Sequence, residues 1–373
     1  YSSFNDNTYG SISGTSMAAP HVTGVAVLVK EYLQKHHPEL TPEQVSETVK
    51  ALIMSTAKPH VNKDTGTYTS PRQQGSGIVD TAAAVSTDLY VTGENGYPSV
   101  TLGNVGDQFT FKVTVHNISD TDRTLKMVVN TNTDEVQDGK FTLRPRKLTE
   151  TVWPEVTVKA HSSQTVTVKV DARKFAAELS KQMPNGYFLE GFVRFVDPAD
   201  DGDIVSLAFM GFRGEFQNLP AVEKPIYNLV REGKNGFYTE VDNPAVNYSN
   251  DATYLATLQN DLLVSKGQRQ GRRITVLGIE QNAEGKHVLQ LDEKGNVRIA
   301  ISPNDDGNKD LVEYKTVALR NLVNLRATVY AATDTKHEHP IWEGDAKDLR
   351  KNYFDGDSRN LKSYILDNTA WRG

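Results

Sequence analysis

The hydrophobic pattern of this chain changes period once, and that change divides it. From Met17 to about His37, the residues Val22, Val25, Ala26, Leu28, Val29 and Leu33 put apolar side chains on most faces of one helix, which predicts a buried helix. Pro38 stops it. Thr41-Pro42-Glu43-Gln44 then supplies an N-cap, a proline at the first helical position and a glutamine two further on, so a second helix starts there with Val45, Val49, Leu52, Ile53 and Thr56 on its packed side. Residues 59 to 77 are polar and turn-rich, and an alanine-rich helical turn follows from Thr81 to Val85.

After Val85 the period falls to two. Phe109, Phe111, Val113 and Val115 alternate with Thr110, Lys112 and Thr114, the pattern of a half-buried strand. The same reading predicts strands at Leu125 to Val129, Val152 to Val158, Thr165 to Val170, Tyr187 to Phe195 and Val205 to Gly211, separated by turn clusters. Between them, Phe175, Ala176, Leu179 and Met183 recur at helical spacing and predict a short helix within Asp171 to Met183. From Pro225 onward the chain is more polar, with strands predicted at Ile274 to Leu277, His287 to Leu291, Val297 to Ile301, Leu311 to Val317 and Leu325 to Ala332. The expected organisation is multi-domain: a helical segment over 1–86, a fibronectin- or immunoglobulin-like sandwich over 87–220, and a second, incomplete sandwich over 221–373.

Composition narrows the function classes. A hydrophobic content of 38% and a net charge of −6 leave no basic stripe for nucleic acid, and no apolar run is long enough to cross a bilayer as a helix. With no cysteine, disulfides, zinc–thiolate sites and a cysteine nucleophile within the chain are excluded together.

Chemistry concentrates in Gly14-Thr15-Ser16-Met17-Ala18-Ala19-Pro20-His21. A serine at the start of a helix meets open backbone N–H groups and the positive end of the helix dipole, which suits an oxyanion forming beside its hydroxyl. Small residues at Gly14, Ala18 and Ala19 admit a substrate backbone. The octapeptide resembles the serine signature of the subtilisin-like proteases. Tyr68 to Ala82, which contains Gln73-Gln74-Gly75-Ser76-Gly77-Ile78-Val79-Asp80, resembles the close of their catalytic domain, and Gly75 and Gly77 read as backbone geometry, not as a phosphate loop. With Pro184 to Phe195, continuing to Phe216, the likeness extends to the first fibronectin-like domain of streptococcal cell-envelope proteinases, in the subgroup that cleaves CXC chemokines or the complement anaphylatoxin. Residues 221–373 resemble the second such domain.

That resemblance implies that residues 1–86 are the C-terminal part of an α/β catalytic domain, with Ser16 as nucleophile and His21 outside the catalytic set. In subtilisins the acid, the base and the oxyanion asparagine precede the serine. Only fifteen residues do so here, without a histidine, and Asp6 is too near along the chain, so the implied partner is an N-terminal protease segment that supplies the aspartate and the histidine. The implied substrate is a chemokine or anaphylatoxin protein, the implied location extracellular and attached to the cell wall, and no organic cofactor is required. A casein-type nutritional proteinase and a noncatalytic adhesion module are the alternatives. One further cluster stands out: Asn304, Asp305, Asp306, Asn308 and Asp310 around Gly307, readable as a structural calcium loop or as a plain Asx-rich turn. His337 and His339 lack a third partner nearby and read as exposed loop residues rather than as a zinc site.

Overall fold

The computed structural model describes residues 2–138, 140–236, 240–242, 245–247, 252–259, 264–265, 268–269, 273–352, 364–365 and 370–373. The chain divides into two compact units, Tyr1–Leu219 and Pro220–Gly373.

In the first unit, helix α1 spans Thr15–His36 and helix α2 spans Pro42–Ser55. The capping box at the start of α2 forms as its sequence dictates: Gln44 N donates to Thr41 Oγ1 (3.3 Å) and Thr41 N to Gln44 Oε1 (2.9 Å), each satisfying an open donor of the first turn. The two helices share a core of Val25, Val29, Leu33, Val45, Leu52 and Ala84. Expected to be buried all round, α1 is buried along one stripe only. Val27 and Leu28 remain 60% and 50% exposed, because α2 and the short helix Thr81–Ala84 cover a single side of it. A groove of about 540 Å³ lies between α1 and α2, lined by Ala26, Val27, Lys30, Val45 and Val49 among others.

The period-two region forms eight strands: β1 Leu89–Gly93, β2 Ser99–Val105, β3 Gln108–Asn117, β4 Arg123–Gln137, β5 Lys140–Val158, β6 Ser162–Asp171, β7 Tyr187–Val196 and β8 Asp203–Arg213. A three-stranded antiparallel sheet, order β6-β3-β1, faces a five-stranded sheet, order β2-β8-β7-β4-β5, in which β2 runs parallel to β8. Their inner faces meet in a core of Leu89, Phe111, Val113, Leu125, Val193, Phe195, Leu207 and Phe209 with their neighbours. Every strand expected here is present, with the helix Ala176–Gln182 between β6 and β7. Two strands, β1 and β2, were not expected, since β1 is short and β2 mixes glycine and asparagine into its apolar residues. The hairpin β4–β5 is longer than its alternation suggested, because Asn130, Thr131, Asn132 and Thr133 are buried although polar.

For Asn132, which pairs with Glu190 on the outer face, that burial reflects a second covering layer. Residues 67–72 lie on the outer face of the five-stranded sheet: Thr67 Oγ1 donates to Asn132 Oδ1 (3.2 Å), Asn132 Nδ2 to the Tyr68 carbonyl (3.1 Å), and the Tyr68 ring packs on Phe192 at 5.5 Å. Residues 1–86 and the sandwich are therefore one packed body.

In the second unit, the helix Ile226–Glu232 packs Ile226, Tyr227 and Val230 against Tyr254 and Ala256. Among the described residues there are two four-stranded sheets. One comprises Glu240–Asp242, Ala245–Asn247, Ile279–Gln281 and His287–Leu289, the other Tyr254–Gln259, Arg273–Val276, Glu313–Thr316 and Tyr364–Ile365. A separate antiparallel hairpin joins Leu322–Tyr330 to Pro340–Leu349. The strand expected at Val297 to Ile301 shrinks to a bridge between Leu291 and Val297, closed by a turn in which Asp292 Oδ1 accepts from Lys294 N and Asn296 N.

Candidate active site

Ser16 is the second residue of α1 and is exposed. Gly14 is the N-cap, and the bonding of the helix begins with Met17 and Ala18, whose N–H groups both donate to the Gly14 carbonyl at 3.1 Å. The Thr15 and Ser16 N–H groups precede those bonds and stay open at the positive end of a 22-residue helix. Pro20 adds an acceptor to this end: lacking an N–H, it cannot donate to the Ser16 carbonyl four residues back. Side chains occupy the carbonyls that follow, with His21 Nδ1 donating to Met17 O (2.6 Å) and Thr23 Oγ1 to Ala19 O (3.0 Å). His21 thus folds along its own helix and does not reach the serine. Among the described residues none hydrogen-bonds the Ser16 hydroxyl.

Gly77 acts through backbone geometry. At φ +124°, an added Cβ would lie 2.3 Å from the Lys58 carbonyl oxygen, so only glycine lets Ile78 pair with Lys58, three residues beyond α2.

The acidic loop of the second unit is closed on itself. Asp310 Oδ1 accepts from Asn304 N (3.2 Å) and Asp305 N (2.8 Å), Asp310 Oδ2 from Gly307 N (2.7 Å), and Asp306 Oδ1 from Asn308 N (2.8 Å). Asn304 Oδ1 accepts from Asp306 N (3.2 Å), which leaves the exposed Asp305 carboxylate 4.0 Å from Arg372. Calcium takes six to eight oxygens converging on one point. Here the oxygens of Asn304, Asp306 and Asp310 are turned to backbone N–H groups, and among the described residues no three acidic, histidine or cysteine side chains gather as a metal site. His337 and His339 lie exposed in the loop ahead of Pro340–Leu349.

Residues 1–77 match the Subtilase family and residues 100–210 an Fn3-like domain. Residues 1–77 are a subtilase segment. The chain's subtilase residues run from residue 1 through the Ser16 helix to Gly77, and its Fn3-like residues fall on β2 to β8. Over the whole chain it is 35% identical to the C5a peptidase of Streptococcus pyogenes serotype M6, covering 33% of that protein. It is 28% identical to the PI-type and PII-type proteinases of Lactococcus lactis subsp. cremoris, over 94% of this chain and 19% of theirs. The chain thus spans about a third of the length of the streptococcal relatives and about a fifth of the lactococcal ones. No helix among the described residues is long and apolar enough to cross a membrane.

Sequence reasoning passed over the residues that hold the subtilase segment in place. The signal was present in Glu190, a carboxylate inside Tyr187-Phe188-Leu189-Glu190-Gly191-Phe192-Val193, where an otherwise apolar strand buries both faces.

Proposed function

We propose that this chain carries the nucleophile of a cell-surface serine endopeptidase whose substrates are small chemoattractant proteins, C5a or a chemokine. The observation that carries the reading is the exposed Ser16, set among open N–H groups at the start of α1 within the intact octapeptide. In this mechanism Ser16 Oγ attacks the scissile carbonyl and a histidine takes its proton. An aspartate orients that histidine, and the Ser16 N–H with an asparagine side chain holds the oxyanion. The histidine, aspartate and asparagine are supplied by a protease segment outside this chain, and the bare apolar side of α1 supports a further layer of protein against it. The chemistry uses no organic cofactor.

The greater identity to the C5a peptidases than to the lactococcal proteinases favours a chemoattractant substrate over casein. We read the second unit as a further fibronectin-like sandwich that places a folded substrate, and the protein as extracellular and attached to the cell wall, by its likeness to these relatives. The test is the cleavage rate of C5a, a CXC chemokine and casein by the complete protein and by its Ser16→Ala form. Cleavage of a chemoattractant that vanishes in Ser16→Ala is expected. Undiminished cleavage by Ser16→Ala would overturn the nucleophile, and a preference for casein would overturn the substrate class.

A further inference from the structure

The core of the sandwich is complete within residues 89–209. The small core of residues 1–86 is not, since Tyr90 and Ile118 of the sandwich pack against it. Two seams join these parts. In one, Ser55 at the end of α2 bonds both backbone groups of Val91, as donor and as acceptor. The other centres on Arg72, in the helical turn Pro71–Gln74 on the outer face of the five-stranded sheet. Its Nε donates to Glu190 Oε2 (2.8 Å), and its Nη2 donates to Glu190 Oε1 (3.0 Å) and Asp134 Oδ1 (2.6 Å). The guanidinium also stacks 4.1 Å from the centre of the Phe188 ring. Glu190 is 1% exposed and both its oxygens are engaged by Arg72. Burial works against a charged guanidinium, yet the hydrogen bonds and charges of Glu190 and Asp134 outweigh it and hold Arg72 more firmly protonated than usual.

The partners on the sandwich side are polar: Asn132 and Glu190, each at most 1% exposed, and Asp134. On a free sandwich such a row would be well solvated; covered, it demands specific partners, which the segment at 67–72 supplies. We propose that the subtilase segment takes its fold from the adjoining sandwich through this polar seam, with Arg72 as its pin. The sandwich is then a structural part of the peptidase unit and not a separable module. The inference concerns folding and does not depend on the peptidase reading.

The absence of cysteine allows one label at a time in the full chain. Ile78→Cys, at a 65% exposed position, reports the segment, and Thr167→Cys, on exposed β6, reports the sandwich. Urea unfolding is followed at each label in three backgrounds: unchanged, Phe195→Ala, which opens a cavity in the sandwich core, and Arg72→Ala. If the sandwich supplies the fold, Phe195→Ala lowers the midpoint at Ile78 as well as at Thr167. Arg72→Ala, which strands the Glu190 carboxylate, lowers the folding equilibrium constant at Ile78 by roughly a hundredfold or more. The double variant Arg72→Ala/Glu190→Gln regains at least about tenfold of it, because the stranded charge is gone. An Ile78 midpoint unmoved by Phe195→Ala, or additive Arg72 and Glu190 effects, would overturn the proposal. Val193→Ala and Arg72→Lys, milder changes at the same two places, serve where the larger ones prevent folding.

Discussion

Ser55→Ala tests the other seam with one oxygen atom. Ser55 is 1% exposed, and its hydroxyl accepts from Val91 N at 2.9 Å and donates to Val91 O at 3.3 Å. Val91 sits on β1, an edge strand paired only with β3, so these two groups look outward to α2 instead of to another strand. Alanine leaves a buried N–H and a buried carbonyl without partners. At about 1–3 kcal/mol for each, with the long 3.3 Å bond at the low end, the loss is roughly 2–4 kcal/mol. Better helix propensity returns about 0.5 kcal/mol, leaving a net loss of about 1.5–3.5 kcal/mol. For a unit of this size that is a fall of about 5–10 °C in Tm. The assay is urea unfolding of the full chain, with the midpoint read at an unchanged slope. Ser86→Ala is the control, an exposed serine that bonds only a helix carbonyl and is expected to stay within about 0.5 kcal/mol. A Ser55→Ala change no larger than that of Ser86→Ala would refute the account of this seam.

Gly77→Ala is expected to destabilise the segment by about 3 kcal/mol or more, through the strained φ and the clash with Lys58, in the same unfolding assay. Asp171, held at about 2 by its hydrogen bonds from Arg173, and Asp107, lowered by Arg213 and Tyr187 against the opposing effect of burial, both have depressed folded-state values. Their contribution is present above the unfolded carboxylate value near 3.9 and is lost as pH falls toward 2, so Tm plotted from pH 5 to pH 2 should fall less steeply in Asp107→Asn than in the unchanged chain. The self-closed loop at 304–310 predicts that EDTA and millimolar calcium leave the Tm of the chain unchanged; a rise of several degrees with calcium would show that the loop binds it.

The local signals were legible where one short stretch decides the structure. The capping box at Thr41, the glycine requirement at Gly77 and the inward face of β3 each follow from a few adjacent residues. What could not be read depends on partners distant in sequence. The apolar faces of α1 predict burial, but periodicity does not say which neighbour covers each face, and Val27 and Leu28 are bare. Asn132 and Glu190 look like outward-facing sheet residues until Tyr68 and Arg72, 64 and 118 positions away, are folded onto them. The oxygen-rich stretch at 304–310 has the composition of a cation loop, and only coordinates show its side chains turned to their own backbone.

Ser16 as a nucleophile is tested most directly by mass spectrometry of the complete protein after reaction with a fluorophosphonate. The prediction is a single phosphonyl adduct on the peptide that contains Gly14 to His21, absent from Ser16→Ala. A complete, folded protein that cleaves its substrate yet takes no adduct at Ser16, or takes it at another residue, would contradict the account.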